Sequence, residues 1–192
     1  RSAAATEIAP LAVVLMVPFA GQRFGRLRRF ARQGWVVFLA MVAAILATAL
    51  FSPQPVSGAA SADIGSGSGR DVDWLNRNGY PCVGFDASQG LLAESRRRFP
   101  GWRFEHAELP RLGSVRSGAY RNVVCETVLM HLPGSEVRCA VRSLARLLMP
   151  AGTLYLSWRV TEGSDVRDAA GRLYCAFPAQ AVRAELGGFV AL

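Results

Sequence analysis

The sequence predicts an α/β protein with a doubly wound, mostly parallel sheet. From residue 62 onward, short apolar runs alternate with helical segments, and the connections between them are short. The runs are apolar throughout, which is typical of strands buried on both faces. A glycine-rich turn, Gly65-Ser-Gly-Ser-Gly69, joins the first of these strands to a helix. Together these three features favour a doubly wound sheet.

Five strands and three helices are predicted, each from an apolar run or a helical segment bounded by short polar connections. In chain order they are a strand beginning at Ala62, a helix from Asp71 to Asn78, a strand from Cys82 to Phe85, a helix from Gln89 to Phe99, a strand from Trp102 to Glu105, a strand from Asn122 to Cys125, a helix from Glu136 to Leu148 and a strand from Thr153 to Trp158.

Length and charge bound the classes of function. The chain has 192 residues, enough for one domain with a sizeable core. All 22 basic residues are arginine and the net charge is +8. Residues 1–62 contribute +5 of that charge, so the basic excess lies mostly outside the predicted sheet. Basic residues interleaved with aromatics on the folded domain would be needed for a nucleic-acid surface, and nucleic-acid binding is therefore not favoured.

Cysteine and histidine spacing argues against a metal or a disulfide. The four cysteines form no C-x-x-C pair and lie mostly in apolar or helical contexts, as buried thiols in a reducing compartment do. His106 and His131 are too far apart in sequence to form a recognisable ligand motif. We expect neither a disulfide nor a metal site.

The turn after the first strand has the composition of a nucleotide cradle. Asp63 precedes a G-x-G-x-G motif, and Asp86 ends the second strand about 20 residues later, where a ribose hydroxyl pair needs an acceptor. A dinucleotide fingerprint, G-x-G-x-x-G, would require glycine where Arg70 stands. This spacing disfavours an NAD-binding oxidoreductase, which remains an alternative.

Three segments in order resemble the class I S-adenosylmethionine-dependent methyltransferases. They are the motif at 62–71, the strand and turn at 123–133, and the helix-to-strand passage at 148–157. The resemblance extends from Ala62 to Leu186 and implies a Rossmann-like sheet of the class I methyltransferase type. That fold normally has seven strands, so residues 58–192 are interpreted as a methyltransferase domain lacking its last strands, and the chain as a C-terminally truncated fragment. Two departures are Arg121, where relatives usually have an acid, and Ala151, which replaces a glycine.

The resemblance implies S-adenosylmethionine as the cofactor. Asp63 would orient the loop, Asp86 would accept from the ribose, and an acid near 105–108 would face the adenine. For Asp86, capping of the following helix is an alternative role, and for Glu126 and Thr127 simple solvation of a strand end is another. The residues implied in cofactor binding are Asp63, Gly65, Ser66, Gly67, Gly69, Asp86, Ala87, Glu108, Glu126 and Thr127.

The implied reaction is methyl transfer to an N, O or C nucleophile of an unknown acceptor, most simply a small molecule. Alignment of donor and acceptor lowers the barrier, so no catalytic triad is required. A base is needed only for a protonated acceptor, and His131 and Glu126 are its candidates. For His131, a structural role is equally compatible with its position. Candidate acceptor contacts, with loop packing as their alternative, are Trp158, Arg159, Arg172 and Tyr174.

Residues 1–57 are predicted to form a separate apolar and basic segment, helical and ending at the prolines Pro53 and Pro55. The apolar run at 35–51 is 17 residues long, the lower limit for a membrane span. The arginines before this run would keep the N-terminal end of a spanning helix in the cytoplasm. The glycine-rich domain would then lie on the opposite side of the membrane, where intracellular S-adenosylmethionine could not reach it. A helix packed on the domain, a signal peptide and a membrane-tethered, non-catalytic binding domain stay open. We expect a cytoplasmic protein, or one associated with a membrane through 35–51.

Overall fold

The computed structural model describes residues 13–19, 61–159, 163–187 and 190–191. Its helices and strands, in chain order, are β1 (Val13–Phe19), β2 (Ser61–Ile64), α1 (Arg70–Arg77), β3 (Cys82–Asp86), α2 (Gln89–Arg98), β4 (Phe104–His106), β5 (Tyr120–Glu126), a 3₁₀ turn (Leu129–His131), α3 (Gly134–Leu147), β6 (Leu148–Arg159), β7 (Val166–Arg167), β8 (Leu173–Tyr174), α4 (Ala179–Glu185) and β9 (Val190–Ala191).

The main sheet has seven strands in the order β4-β3-β2-β5-β6-β1-β9, and every strand pair in it is parallel. The chain order reverses between β2 and β5, as in a doubly wound sheet, where ligands bind outside the carboxyl ends of the strands. The predicted fold class is confirmed. The strands β7 and β8 form a separate antiparallel hairpin.

Two apolar layers bury the sheet on both faces. Val123 and Leu154 belong to the layer under α3 and α4, whereas their neighbours Val124 and Tyr155 belong to the layer under α1 and α2. Successive side chains of a strand point to opposite faces, so each central strand must be apolar at consecutive positions. This explains the continuous apolar runs in the sequence.

All five predicted strands are present, with shifted ends. The predicted strand 102–105 lies at Phe104–His106, and the strand predicted from Thr153 begins at Leu148, directly after α3.

Glu185 of α4 accepts hydrogen bonds from Arg138 and Arg142 of α3, at 2.6 and 2.7 Å, which ties the last described helix to the domain.

The predicted helical conformation of the N-terminal segment is wrong at residues 13–19. They form β1, which pairs in parallel with β6 from Val14–Leu154 to Phe19–Arg159. The run is rich in valine, which favours strands, and its length is ordinary for a strand although too short to cross a bilayer. The strand β1 therefore covers one side of β6.

The remaining predictions for the N-terminal segment stay predictions. The run at 35–51 and the boundary between residues 57 and 58 lie outside the described residues. Among the residues that the structure does describe, no helix has both the length and the apolar character needed to cross a membrane.

An irregular stretch at the start of β6 carries an unfavourable residue. Tyr120 pairs with Leu148 and Asn122 with Thr153, so the register shifts across 149–152. Within this stretch Ala151 has a φ of 59°, in the left-handed region that favours glycine. The departure from a glycine noted in the sequence therefore falls where glycine suits the backbone best.

We expect Ala151→Gly to raise the free energy of unfolding by about 0.5–1 kcal/mol, because it relieves the left-handed strain at an exposed position. The measurement is urea denaturation followed by circular dichroism. Ala93→Gly is the matched control, since Ala93 is exposed within α2 and glycine there should lower stability by about 0.5–1 kcal/mol. Equal losses in both variants would contradict the strain at Ala151.

Candidate functional site

The glycine-rich loop follows β2 and is attached to the end of β3. The backbone amides of Gly65 and Ser66 both donate to the Phe85 carbonyl, at 2.7 and 3.0 Å. The amide of Gly69 donates to the Ser66 carbonyl at 3.0 Å, which closes the turn before α1 begins. The loop therefore lies at the carboxyl edge of β2 and β3, beside the reversal of strand order.

Asp86 joins the loop to the next helix. One carboxylate oxygen accepts from the Gly67 amide and the other from the Ser88 amide, each at 2.8 Å. Ser88, rather than Asp86, supplies the side-chain cap of α2, because its hydroxyl accepts from the Leu91 amide. Asp86 is buried, and its remaining lone pairs still leave room for a ribose hydroxyl.

The three glycines of the motif serve different purposes. All have positive φ, but a side chain at Gly67 would meet nothing within 4 Å, which leaves space for a ligand. A Cβ at Gly65 would lie 2.2 Å from a methyl group of Val128. A Cβ at Gly69 would lie 2.6 Å from the ring of Phe104, so packing explains Gly69 and its predicted contact with the cofactor is not needed.

Two polar atoms beside the loop have no hydrogen-bond partner in the described structure, namely Oδ2 of Asp63 and Oγ of Ser66. Buried polar groups without partners are uncommon and mark places where a ligand or water belongs. The carboxylate that binds the Gly67 amide is that of Asp86, and the predicted loop-orienting role of Asp63 stays a prediction. The open space at Gly67 and these orphaned atoms fit a polar ligand.

Acidic side chains crowd the carboxyl ends of β2 and β5. Burial raises the pKa of Asp63 well above its usual value, and the nearby Asp71 and Glu126 raise it further. Burial, with a further contribution from Asp71, raises the pKa of Glu126 to about 7. Arg70 opposes both shifts and is bound to Asp71 at 2.8 Å.

Sequence reasoning missed Asp71 and Arg70 as parts of this site. Both lie in the first turn of α1, where an acid is ordinary because it complements the helix dipole. The available signal was their place directly after the glycine motif, which brings the first turn of the helix next to the loop.

Thr127 follows Glu126 and has a φ of 56°. A β-branched residue in the left-handed region is a true outlier, and such strain concentrates at functional sites. The Thr127 amide donates to the Ser157 carbonyl at 2.9 Å, which holds the strained residue at the end of β5. The placement is compatible with the predicted cofactor contact of Thr127.

His131 lies in the 3₁₀ turn after β5 and is anchored to the hairpin. Its Nδ1 is 2.7 Å from the Leu173 carbonyl oxygen, and its ring meets Tyr174 edge-on with 4.9 Å between centroids. A carbonyl only accepts, so Nδ1 carries the proton and the neutral ring has its lone pair on Nε2. The Cys175 amide adds a bond to the Met130 carbonyl at 2.8 Å.

The four residues predicted to contact the acceptor lie in different parts of the structure, two in β6 and two in or beside the hairpin of β7 and β8. Trp158 lies in β6, as predicted, but it is 2% exposed and stacks on Phe177, so packing explains its position better than the predicted contact with an acceptor. Strand alternation turns its side chain into the core. Arg172 is exposed and bound to Asp168 at 2.8 Å within the hairpin. Arg159 ends β6, and its side chain lies outside the described part.

Two further cofactor candidates lie at the rim. Ala87 is exposed directly after Asp86, and Glu108 is exposed in the loop after β4. Glu105, the other acid considered for the adenine, forms an ion pair with Arg103. This leaves Glu108 as the candidate, which stays a prediction.

Within the described part of the chain, no group of three or more histidine, cysteine or acidic side chains is placed to hold a metal ion. All four cysteines are free thiols, and three of them are buried.

Comparison with known families agrees with this geometry. Residues 62–156 match the family model described as a methyltransferase domain. Over 95 residues the chain is 36% identical to a trans-aconitate 2-methyltransferase of Methylobacterium nodulans. That match covers 48% of this chain and 35% of the relative, so the chain spans about a third of the curated relative's length.

Solved structures share the fold. An amino pentose methyltransferase from Micromonospora echinaspora, solved with bound S-adenosylmethionine, has a TM-score of 0.61 and 20% identity, covering 88% of this chain and 90% of its own. The magnesium protoporphyrin IX methyltransferase of Synechocystis has a TM-score of 0.58 and 21% identity, covering 88% of this chain and 74% of its own.

Residues 62–156 therefore form a methyltransferase domain of the class I type, and the predicted family is confirmed. The cofactor of this class, S-adenosylmethionine, is the one predicted from the motif.

The loop geometry predicts a contrast between two glycines. Gly65→Ala should lower the free energy of unfolding by about 2–4 kcal/mol, because the new Cβ overlaps Val128 and φ is 83°. Gly67→Ala should cost only about 1 kcal/mol, because the space around it is open. The measurement is urea denaturation of both variants. Adding Val128→Ala should restore part of the loss in Gly65→Ala, and its failure to do so would contradict the steric explanation.

Proposed function

We propose that this protein transfers a methyl group from S-adenosylmethionine to an N, O or C nucleophile of a small-molecule acceptor. The methyltransferase domain at 62–156 supports the reaction class. The observation that carries the proposal is the cradle itself, in which Asp86 holds the Gly67 amide beside open space and unpartnered buried oxygens.

The cradle residues would hold the cofactor by its polar groups. The Asp86 carboxylate would accept hydrogen bonds from the ribose hydroxyls, and the amides of the loop would line the approach to it. When bound, S-adenosylmethionine supplies an activated methyl group for in-line displacement, so that proximity and alignment account for most of the rate. The protein's task is to hold the acceptor in line and to receive its proton where the acceptor carries one.

His131 is the base that the geometry favours. Its Nδ1–H is fixed by the Leu173 carbonyl, which orients the ring and leaves the Nε2 lone pair to accept a proton. The turn that carries it begins directly after Val128, the residue packed against Gly65, so His131 lies near the cradle. Glu126 is the alternative base and lies on the cofactor side.

We do not propose for this chain the acceptor that the name of the M. nodulans relative gives. That relative is named for trans-aconitate, a polyanion. In this chain the hairpin arginines are already engaged, Arg172 with Asp168 and Arg167 with the Gly171 carbonyl. Capture of an anion by these arginines would have to break those bonds.

Binding of S-adenosylhomocysteine tests the cofactor site. We expect micromolar binding by calorimetry, weakened about tenfold to a hundredfold in Asp86→Ala, because a charged acceptor of ribose hydrogen bonds is lost. Asp168→Ala removes an exposed carboxylate of the hairpin and should bind like the wild type. Stabilisation of the folded protein by NAD but not by S-adenosylhomocysteine would instead support the oxidoreductase alternative.

The base is tested by pH profiles of methylation, with an acceptor found in a small-molecule screen. His131→Ala should lower kcat by about 10²–10⁴ and remove the rise of rate with pH, whereas His106→Ala, an exposed histidine at the end of β4, should change neither. ¹⁵N NMR of the wild type should show the proton on Nδ1. Rates unchanged across pH in His131→Ala would remove His131 from this role.

A further inference from the structure

The hairpin of β7 and β8 is attached to the turn that carries His131 by contacts of three successive residues. The Leu173 carbonyl oxygen lies 2.7 Å from Nδ1 of His131. The Tyr174 ring meets the imidazole edge-on, and the Cys175 amide donates to the Met130 carbonyl at 2.8 Å. The position of the carbonyl that orients His131 therefore depends on how the end of β8 is held against the turn.

The side chain of Cys175 continues this attachment to the start of α3. Cys175 is 2% exposed, and a Cβ built at Gly134, the first residue of α3, would lie 3.3 Å from its sulfur. The sulfur accepts from the Gly134 amide, and the thiol donates to the carboxylate of Asp165. Burial, and then the bond to Asp165, raises the pKa of the Cys175 thiol, so the thiol keeps the proton that it donates.

Asp165 joins the two strands of the hairpin at the end that is attached to the turn. It directly precedes β7, and its carboxylate accepts from the Ala176 amide at 2.8 Å. Ala176 follows β8 by two residues, and Val166 pairs with Tyr174 in the antiparallel ladder. The bond from Asp165 therefore extends the ladder past its last backbone pair, on both sides of Cys175.

The hairpin has a second carboxylate, which acts at its opposite end. Asp168 accepts from the backbone amides of Ala170 and Arg172, each at 2.9 Å, and from the Arg172 side chain at 2.8 Å. These partners lie in the connection between β7 and β8. Asp168 therefore shapes the tip of the hairpin, whereas Asp165 fixes the end that contacts the turn.

We propose that Asp165 and Cys175 are positioning residues for His131, which hold the Leu173 carbonyl against Nδ1 and so keep the tautomer in which Nε2 accepts the proton of the methyl acceptor. This inference rests on the proposed function, in which His131 is the base. We call Asp165 and Cys175 the docking pair. The pair acts through the Leu173 carbonyl, because the hydrogen bond at one ring nitrogen decides which nitrogen carries the proton.

The first test is ¹⁵N NMR of the full chain at about pH 8.5, well above the ordinary pKa of histidine. The chain has two histidines, so His106→Asn leaves His131 as the source of the imidazole signals. In this background we expect the proton on Nδ1. Asp165→Ala should populate both tautomers, because the Leu173 carbonyl is no longer held. Asp165→Asn keeps an oxygen for the Ala176 amide and should restore the single tautomer.

Two further variants assign the effect to the attached end of the hairpin. Cys175→Ala should change the tautomer less than Asp165→Ala does, because the amide bond to Met130 remains. Asp168→Ala is the matched control, since it removes a hairpin carboxylate at the tip and should leave the proton on Nδ1. Equal changes in Asp165→Ala and Asp168→Ala would overturn the specific role of the docking pair.

Methylation kinetics and binding separate this inference from the proposed function. With an acceptor from the screen, Asp165→Ala should lower kcat about tenfold through misorientation of the base. Its affinity for S-adenosylhomocysteine should change less than about twofold, because Asp165 bonds to the hairpin and not to the cradle.

The outcomes differ for the two proposals. If Asp165→Ala and Cys175→Ala both keep the proton on Nδ1, the positioning role is wrong and the proposed function stands. If the folded protein does not bind S-adenosylhomocysteine, or if His131→Ala methylates as fast as the wild type, the corresponding part of the proposed function fails. The second of these results would also remove the catalytic purpose of the docking pair.

Discussion

The structure around the cradle depends on one buried carboxylate. Asp86 accepts from the amides of Gly67 and Ser88, and thereby links the loop after β2 to the start of α2. A buried carboxylate is costly unless its oxygens are bonded, so this geometry and the loop conformation stabilise each other. Helix-end bonding and ligand binding are therefore not competing roles for Asp86. The bonds that fix the empty loop also hold the carboxylate at the edge where a ribose would lie.

The crowding of acidic side chains at the same edge of the sheet opposes the stabilisation that the bonded Asp86 carboxylate provides. The same edge brings the acids Asp63, Asp71 and Glu126 together, and burial with repulsion between the acids raises the pKa of Asp63 and that of Glu126. Arg70 offsets part of this through its bond to Asp71. A fold selected for stability alone would place apolar or neutral residues there. Local conflicts of this kind are expected at functional positions.

The sequence was informative where a pattern is local. Continuous apolar runs identified β2 to β6, and the glycine motif identified the cradle, because both depend on neighbouring residues. Features that depend on register or distant pairing were missed. The strand β1 pairs with β6 about 140 residues away in the chain, and a short apolar run does not by itself distinguish strand from helix. Ser157 and Trp158 are adjacent, yet only the pleat shows that Ser157 is on the face of the layer under α1 and α2, whereas Trp158 belongs to the layer under α3 and α4.

The side of the domain proposed to receive the acceptor differs physically from the side proposed to bind the cofactor. It is bounded by the small hairpin of β7 and β8, which contacts the domain through the bond of His131 to the Leu173 carbonyl and the bond of the Cys175 amide to Met130. An element held by few bonds can open locally at low cost. The hairpin bond that orients the His131 ring is thus also one that opening would break. For the proposed base, the docked hairpin therefore keeps the ring of His131 in the orientation that leaves Nε2 to accept a proton.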